Sequence, residues 1–550
     1  MATDDQIFPA LTAAQIERLT PFGHKRTAAQ GEVLVEQGDS EKGVFVVISG
    51  SIEIVDPATP ANVVVTHRPG QFTGEVHVLS GRRSLLQAHA AEPSELLEIE
   101  RPGLLRIVQT DPEISEIFLR AFALRRARLI DNSTGDALIL GSSHSSDTLR
   151  LKEFLTRNGH PYAYVDVDKD PATQELLDHF HVAVTDIPIL VCRGEKVLRN
   201  PTNEETAECL GFSTGIDKEI EKEHVYDLIV IGAGPSGLAA GVYAASEGLD
   251  VIVLETNAPG GQAGSSSLIE NYLGFPMGIS GQDLANRAFI QAQKFGASVA
   301  IAHTACGIRC IHEPFRIGLR DGTAVHGKTI IIATGAEYRR LPLPDLQRFE
   351  GNGIYYGATH IEAQLCGDEE VVIIGGGNSA GQAAIFLSTH AKHVHLLVRG
   401  PALAATMSRY LISRIEDSPA ITLRTDTEIT SLEGDKCLER LSWRKRDTDE
   451  TETREIRHLF SMTGACPNTA WLQDCLQLDE RQFIKTGVEL QAADLTAANW
   501  PHKRQPYLFE TSVPKIFAVG DVRSGSVKRV ASAVGEGSVA VQLIHKVLAE

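Results

Sequence analysis

Tyr226-Asp227-Leu228-Ile229-Val230-Ile231-Gly232-Ala233-Gly234-Pro235-Ser236-Gly237 is the stretch that decides the fold class. An apolar run of strand length ends at Gly232, a helix of small residues opens just after it, and a second apolar run ends at Glu255, 23 residues beyond Gly232. Gly232, Gly234 and Gly237 permit a tight turn, close backbone approach to a pyrophosphate, and close packing of helix against strand. Glu255 stands where a carboxylate holds a ribose hydroxyl. Alone, Gly-x-Gly-x-x-Gly is a weak signal. The strand before it, the helix after it and the acidic residue at this distance make it a dinucleotide site rather than an incidental glycine turn.

A second copy lies downstream. Val371–Ile374 reads as a strand and runs into Gly375-Gly376-Gly377-Asn378-Ser379-Ala380, a Gly-x-Gly-x-x-Ala that begins 143 residues after the first turn. Two such halves read as an internal duplication: an α/β chain with two Rossmann-like units, one for each of two dinucleotides.

Residues 225–550 resemble the thioredoxin reductase-like flavoproteins of the class II pyridine nucleotide-disulphide oxidoreductase superfamily, over essentially their full length. The resemblance implies FAD at the first turn, on Gly232, Gly234, Pro235, Ser236, Gly237 and Glu255. Gly260-Gly261-Gln262 and the segment Ile269–Pro276, which contains Asn271, resemble the family's flavin-side segments. Ala333-Thr334-Gly335 resembles its second FAD signature, and Gly520-Asp521 its closing one, where the aspartate meets the ribityl chain. Lys528, Arg529 and Val530 also correspond to positions near the ring. Gly464–Thr469 resembles the crossover back into the FAD unit.

The same resemblance places NADPH, or NADH, on Gly375, Gly377, Asn378, Ser379 and Ala380, with Arg399 after the next strand. NADPH-specific members carry several basic residues there. This chain keeps Arg399 and has Ala404 where another arginine is expected. One guanidinium can pair a 2′-phosphate bidentately, so the expectation is NADPH.

Where the family carries its redox Cys-x-x-Cys, the chain reads Gly357-Ala358-Thr359-His360, and it has no Cys-x-x-Cys anywhere. The resemblance implies hydride transfer from nicotinamide to flavin, but passage through an internal disulfide has no sulfur to perform it. His360 is the candidate proton donor at that place, with an ordinary structural histidine as the alternative. Cys366, the nearest sulfur, reads as a buried structural thiol.

Upstream, Val33–Val35, Val44–Ile48, Ser51–Val55, Val63–His67 and Leu96–Ile99 read as short strands separated by glycines, followed by helical periodicity over 104–130. This part resembles the cyclic nucleotide-binding domains. Their phosphate cassette corresponds to Gly74-Glu75 and Arg83-Ser84, with Arg82 a near-equal candidate for the phosphate contact. The resemblance implies a cyclic AMP or cyclic GMP ligand: arginine on the phosphate, carboxylate on the ribose, and backbone N–H groups at a short helix N-terminus. The spacing from Glu75 to Arg83 is short for the family, and Leu85 replaces the customary alanine.

Between these parts, Ala137–Leu140, Thr148–Asn158, Ala163–Val167, Ala172–Phe180 and Ile187–Cys192 alternate strand and helix and resemble a glutaredoxin/thioredoxin-like domain. Ile187-Pro188 lies where that family has a cis-proline. Its redox motif would fall on Ser145-Ser146-Asp147-Thr148, where hydroxyls cannot form a disulfide. A docking or spacer role is expected for it.

The expected units are 1–132 (β-roll), 133–218 (thioredoxin fold), 224–341 with 468–550 (FAD) and 342–467 (NAD(P)H). A net charge of −19 argues against nucleic acid and against an anionic membrane as partners. No apolar run approaches the ~20 residues of a spanning helix, and the N-terminus carries no signal-like segment, so a cytoplasmic protein is expected. The eight cysteines are scattered, which predicts reduced thiols and no metal site. A homodimer is expected by analogy. These readings predict an FAD-dependent NAD(P)H oxidoreductase with a small-molecule or protein electron acceptor, ferredoxin among the candidates. The alternative is a non-catalytic flavin and cyclic-nucleotide sensor that signals to a partner.

Overall fold

The computed structural model describes residues 3–550 apart from 41, 58–62, 76, 133–134, 144, 169–185, 194–195, 213–215, 218–219, 221–222, 311–312, 404–406, 436 and 473–474, and apart from the side chains of 360 and 361. The helix expected over Ala172–Phe180, and Ala404, lie outside the described residues.

The first sheet pair forms a roll. One sheet has the order His24–Ala28, Ser94–Ile99, Val44–Ser49, and the other Val33–Val35, Gln87–Ala90, Ile52–Val55, Val63–His67. Strands His24–Ala28 and Gln87–Ala90 were not anticipated. Phe45, Val47, Ile52 and Leu96 fill the space between, at zero exposure. The helical stretch after the roll breaks in two, Arg101–Thr110 and Pro112–Asp131, because Asp111 accepts from the Ile114 amide and Pro112 starts the next helix.

A four-stranded mixed sheet follows, ordered Lys196–Arg199, Ile189–Cys192, Ala137–Gly141, Ala163–Asp166; the last two strands are parallel and the first two antiparallel. The peptide bond between Ile187 and Pro188 is cis. Ser145, at the place of the absent redox motif, has become the cap of helix Ser146–Arg157 and accepts from the Thr148 amide. That helix is amphipathic and buries Leu151, Phe154 and Leu155.

Two parallel sheets hold the glycine-rich turns. In the first, Ser298–Ile301, Val251–Glu255, Val225–Ile231, Ala324–Ile332 and Ile516–Ala518 run parallel, extended by the antiparallel strands Phe315–Leu319 and Ala305–Arg309. In the second, Ile354–Tyr355, His458–Ser461, Glu370–Ile374, His393–Leu397 and Ile421–Arg424 are all parallel. The strands are near-continuous apolar runs because both faces of each sheet are covered, one by helices and the other largely by strands and loops. One such cover is the β-meander Thr427–Glu433, Arg440–Lys445 and Thr451–Arg454, which packs Leu441 and Trp443 near Val372, Ile374 and Leu459. Where the chain crosses between the sheets, Ala336–Tyr338 pairs antiparallel with Ala465–Pro467.

The expectation of reduced cysteines is corrected in two places. Cys192 is bonded to Cys209 and Cys310 to Cys475, with Cα separations of 6.5 and 6.3 Å, inside the range a disulfide spans. Sequence spacing concealed both, since the partners are 17 and 165 residues apart. Neither bond includes a residue of the segment Gly357–Cys366. Among the described residues, no helix is long and apolar enough to cross a membrane.

Candidate functional sites

The first glycine-rich turn sits at the carboxyl end of Val225–Ile231. Gly232 has φ +103°, and a Cβ on Gly237 would overlap the carbonyl oxygen of Gly232, so neither position accepts a side chain without backbone movement. Gly234 caps helix Pro235–Ser246 with no side-chain hydrogen bond, which leaves the first-turn N–H groups facing outward. Beyond Gly234 the nearest atom a Cβ would meet is the Gly261 Cα, 4.0 Å away. Such a cradle suits a pyrophosphate.

Glu255 closes the turn from the side. Its carboxylate accepts from the amides of Ala233 (2.7 Å), Asn257 (2.9 Å) and Ala258 (3.2 Å). Burial pushes the Glu255 carboxyl up, and these bonds pull it partly back. The loop from Asn257 to Gly261 is thereby folded over the turn, and Gly260 and Gly261 adopt positive φ.

The remaining first-site residues converge on the same sheet edge. The Ala333 amide donates to the Ile231 carbonyl, while Thr334 and Asn468 exchange two hydrogen bonds. At Gly335 (φ +64°) a Cβ would meet nothing within 4 Å. Gly520 lies against Ser236, and burial pushes the neighbouring Asp521 carboxyl up. Lys528 donates to the Asp521 carbonyl at 3.3 Å, and Arg529 precedes helix Val530–Leu548. Gln262, in the short helix Gly261–Gly264, and Asn271, in the segment after it, are both exposed.

The second turn is more open. Gly377 caps helix Asn378–Leu387, again without a side-chain bond, and a Cβ there would meet nothing within 4 Å. Ala380 is fully buried. The Asn378 side chain accepts from the Ser408 amide at 2.7 Å. Burial pushes up the phenol of Tyr338, on the crossover strand, which is hydrogen-bonded to Ser379.

Arg399 is exposed at the end of strand His393–Leu397. Beside it is Arg446, whose Nη1 donates to the Arg399 carbonyl at 3.3 Å. Sequence reasoning missed Arg446. It comes from the β-meander 47 residues on and no local motif announces it.

In the segment Gly357–Cys366, Glu362 accepts from both the amide and the hydroxyl of Thr359, fixing the start of helix His360–Leu365. His360 opens that helix, and its side chain lies outside the described residues. The Cys366 thiol is fully buried, donates to the Glu362 carbonyl at 3.3 Å, and is pushed up by burial to about 11. A thiol held so far from ionisation is a structural group.

The N-terminal roll encloses a cavity of about 260 Å³. Its walls are apolar at Val35, Ile54, Val63, Val65, Leu85 and Ala88, and its polar end presents His67, Gly74, Glu75, Ser84 and Arg125. One Glu75 oxygen bonds His77 at 2.7 Å and Arg126 at 3.2 Å, while the other has no partner among the described residues. Burial pushes the Glu75 carboxyl up, but Arg126 and His77 outweigh it and bring it down to about 2. Burial, with help from Arg125, brings His67 down to about 3.

The expected phosphate arginines are elsewhere. Arg82 is buried, donates to the Asn158 carbonyl at 3.0 Å and lies over the ring of Phe212 at 4.6 Å. Arg83 packs on Gly211. The packing of the following segments against the roll draws both away from the cavity. Two other guanidinium groups line it, Arg125 and Arg128; Arg125 bonds the carbonyls of Ile7 and Gly74, and its Nη2 has no partner among the described residues. The signal for both was the basic run Arg125-Arg126-Ala127-Arg128.

The sequence model of the pyridine nucleotide-disulphide oxidoreductases matches residues 226–537, and that of the cyclic nucleotide-binding domain matches residues 25–111. The thioredoxin reductase of Ureaplasma parvum serovar 3 is 35% identical over 320 residues, 58% of this chain and 95% of that protein. The NADPH-dependent thioredoxin reductase 3 of Arabidopsis thaliana is 29% identical over 364 residues, covering 63% of this chain and 64% of the relative. A crystal structure of the Lactococcus lactis thioredoxin reductase in its FR conformation superposes with a TM-score of 0.53 at 28% identity, over 59% of this chain and 99% of that one.

Proposed function

Because the chain belongs to the pyridine nucleotide-disulphide oxidoreductase family and carries an N-terminal cyclic nucleotide-binding domain, we propose that it oxidises NAD(P)H through a bound FAD and hands the electrons to an external acceptor without a dithiol of its own. The observation that carries this reading is the pair of glycine-capped helices, Pro235–Ser246 and Asn378–Leu387, whose first-turn amides no side chain claims. Between them the segment Gly357–His360 holds no sulfur.

The FAD, when bound, supplies the two-electron chemistry between nicotinamide and acceptor. Gly234 and the first-turn amides of helix Pro235–Ser246 would hold its pyrophosphate, Glu255 a ribose hydroxyl and Asp521 the ribityl chain. Gly377 and its helix would hold the nicotinamide nucleotide's pyrophosphate, with Arg399 and Arg446 on a 2′-phosphate, which favours NADPH. Asn378 anchors the segment at Ser408, and Tyr338 ties the crossover strand to Ser379, so both residues position the second turn. Gly357 has nothing within 4 Å of a Cβ, which leaves room in this segment for an acceptor that brings its own redox group. Suitable acceptors are a quinone-like molecule, a one-electron carrier such as ferredoxin, or a partner's disulfide.

We assign the four units as 1–132, 133–218, 224–341 with 468–550, and 342–467, and cyclic AMP or cyclic GMP to the roll cavity, with Glu75 on the ribose and Arg125 facing the phosphate. The test is anaerobic titration of the FAD-loaded protein with NADPH and NADH, followed by an acceptor screen including ferredoxin and thioredoxin. Rapid bleaching of the flavin band with turnover on an external acceptor is expected. A flavin that stays oxidised under excess NADPH and NADH refutes the enzyme reading.

A further inference from the structure

The last turn of helix Ser146–Arg157 and the two residues after it touch both the cyclic-nucleotide cassette and the flavin-side loop. On the cassette side, Arg82 Nη1 donates to the Asn158 carbonyl at 3.0 Å. Arg126 Nε donates to the Gly159 carbonyl at 2.7 Å, and its Nη1 donates to Glu75 at 3.2 Å. On the flavin side, Asn158 Nδ2 donates to the Asn257 carbonyl at 3.0 Å and Arg157 Nη2 to the Gly261 carbonyl at 2.9 Å. Gln282 Nε2 completes the contact on the Arg157 carbonyl at 2.9 Å.

These contacts form a continuous path from Glu75, in the wall of the cavity, to the loop that covers the first glycine-rich turn. Resting on the proposed function above, we infer that Arg157-Asn158-Gly159 is a joint through which occupancy of the N-terminal cavity is transmitted to the loop Asn257–Gly261. Asn158 is 6% exposed and Arg82 8%, so water cannot replace their bonds as it would on a surface.

The cassette end is poised to respond. Among the described residues, no group pairs with the buried Arg82 Nη2 and no carboxylate bonds the guanidinium, which burial brings down to about 9. Arg126 and Arg82 lie close enough to repel, and the Glu75 carboxylate is the charge that offsets both. The Glu75 oxygen without a partner belongs to that same carboxylate. A ligand hydroxyl donating to it draws the negative charge toward the cavity and weakens the hold on Arg126. The bond from Arg126 to Gly159, and the repulsion between Arg126 and Arg82, then change together. Only a ligand with different affinity for the two arrangements moves such an equilibrium. The carboxylate shared by ligand and joint provides that difference.

The test uses the full-length, FAD-loaded protein with cyclic AMP and cyclic GMP as probes. Hydrogen exchange at 257–261 and the rate of flavin reduction by NADPH are measured with and without saturating nucleotide. For the wild type, a change of about fivefold or more in both is expected, the lower end of common allosteric couplings. Asn158→Ala and Arg157→Met each remove one flavin-side bond and leave the cavity intact. Both should bind nucleotide within about twofold of wild type by calorimetry, while the response falls below about twofold. The joint is overturned if neither nucleotide binds, if nucleotide binds the wild type without altering exchange at 257–261, or if both variants respond fully. Should NADPH fail to bleach the flavin, the redox reading falls, and the exchange measurement, which needs no turnover, still decides the joint.

Discussion

The two glycine-rich turns share one motif and differ in how closely the rest of the molecule presses on them. The first is closed. Its helix Pro235–Ser246 is wedged against Val530–Leu548, where Gly537 lets the Ser236 carbonyl approach, and its covering loop is tied down by Glu255 and Arg157. The second is open, with Gly377 facing empty space and an alanine already accepted as its last motif residue. The strand after the first turn ends on a half-buried carboxylate, and the strand after the second leads to an exposed guanidinium. A permanently held dinucleotide and an exchangeable one call for such a difference: enclosure slows release, and an accessible cation captures a phosphate from solution.

The sharpest break comes from exchanging the residues that distinguish the motifs. Gly237→Ala places a Cβ against the Gly232 carbonyl and forces the turn apart, so the protein should retain flavin at least about tenfold less well, read from the ratio of visible to ultraviolet absorbance of the purified protein. Ala380→Gly, its mirror, should cost the second unit only about 1 kcal/mol and leave flavin content unchanged. Equal flavin loss in both would mean that the turns are not assigned as proposed.

This contrast also marks what could be learned before the structure. Both turns, their strands and the missing sulfurs at Gly357 and His360 were legible because each depends on a few neighbours in sequence. The roll was legible through its glycines, and the break at Asp111-Pro112 was available in the residue types, though periodicity ran through it. The placement of Arg82 was not legible. Its position is set by Asn158, Phe212 and Phe289, which belong to other segments. Arg125, Arg446 and both disulfides were hidden for the same reason, because pairings between distant segments leave no local periodicity.

The second turn's openness is sharpened by its charge. If Arg399 and Arg446 both face the 2′-phosphate, Arg399→Ala or Arg446→Ala should each lower kcat/KM for NADPH by about ten- to a hundredfold, the effect of losing one charged hydrogen bond of about 1.5–3 kcal/mol. The value for NADH should stay unchanged, because it lacks that phosphate. The double variant should bring the two cofactors close to parity in steady-state assays. A uniform loss for both cofactors would place the arginines in structure rather than recognition.

The smallest effect is expected where the two units meet. Arg414 Nη1, on helix Arg409–Glu416, donates to both carboxylate oxygens of Glu270 in the flavin-side segment, at 2.8 and 3.0 Å, with both side chains partly exposed. An exposed pair is worth about 0–1 kcal/mol, so Glu270→Gln should change the rate of flavin reduction by no more than about fivefold. The direction is informative. If the pair holds the open unit in the arrangement that reduces flavin, the rate falls; if it holds the unit away, the rate rises. Either change should shrink as salt rises above about 0.15 M, where the screening length is about 8 Å. An effect that persists in high salt would mean the residue acts through packing of the Ile269–Ile279 bridge rather than through its charge.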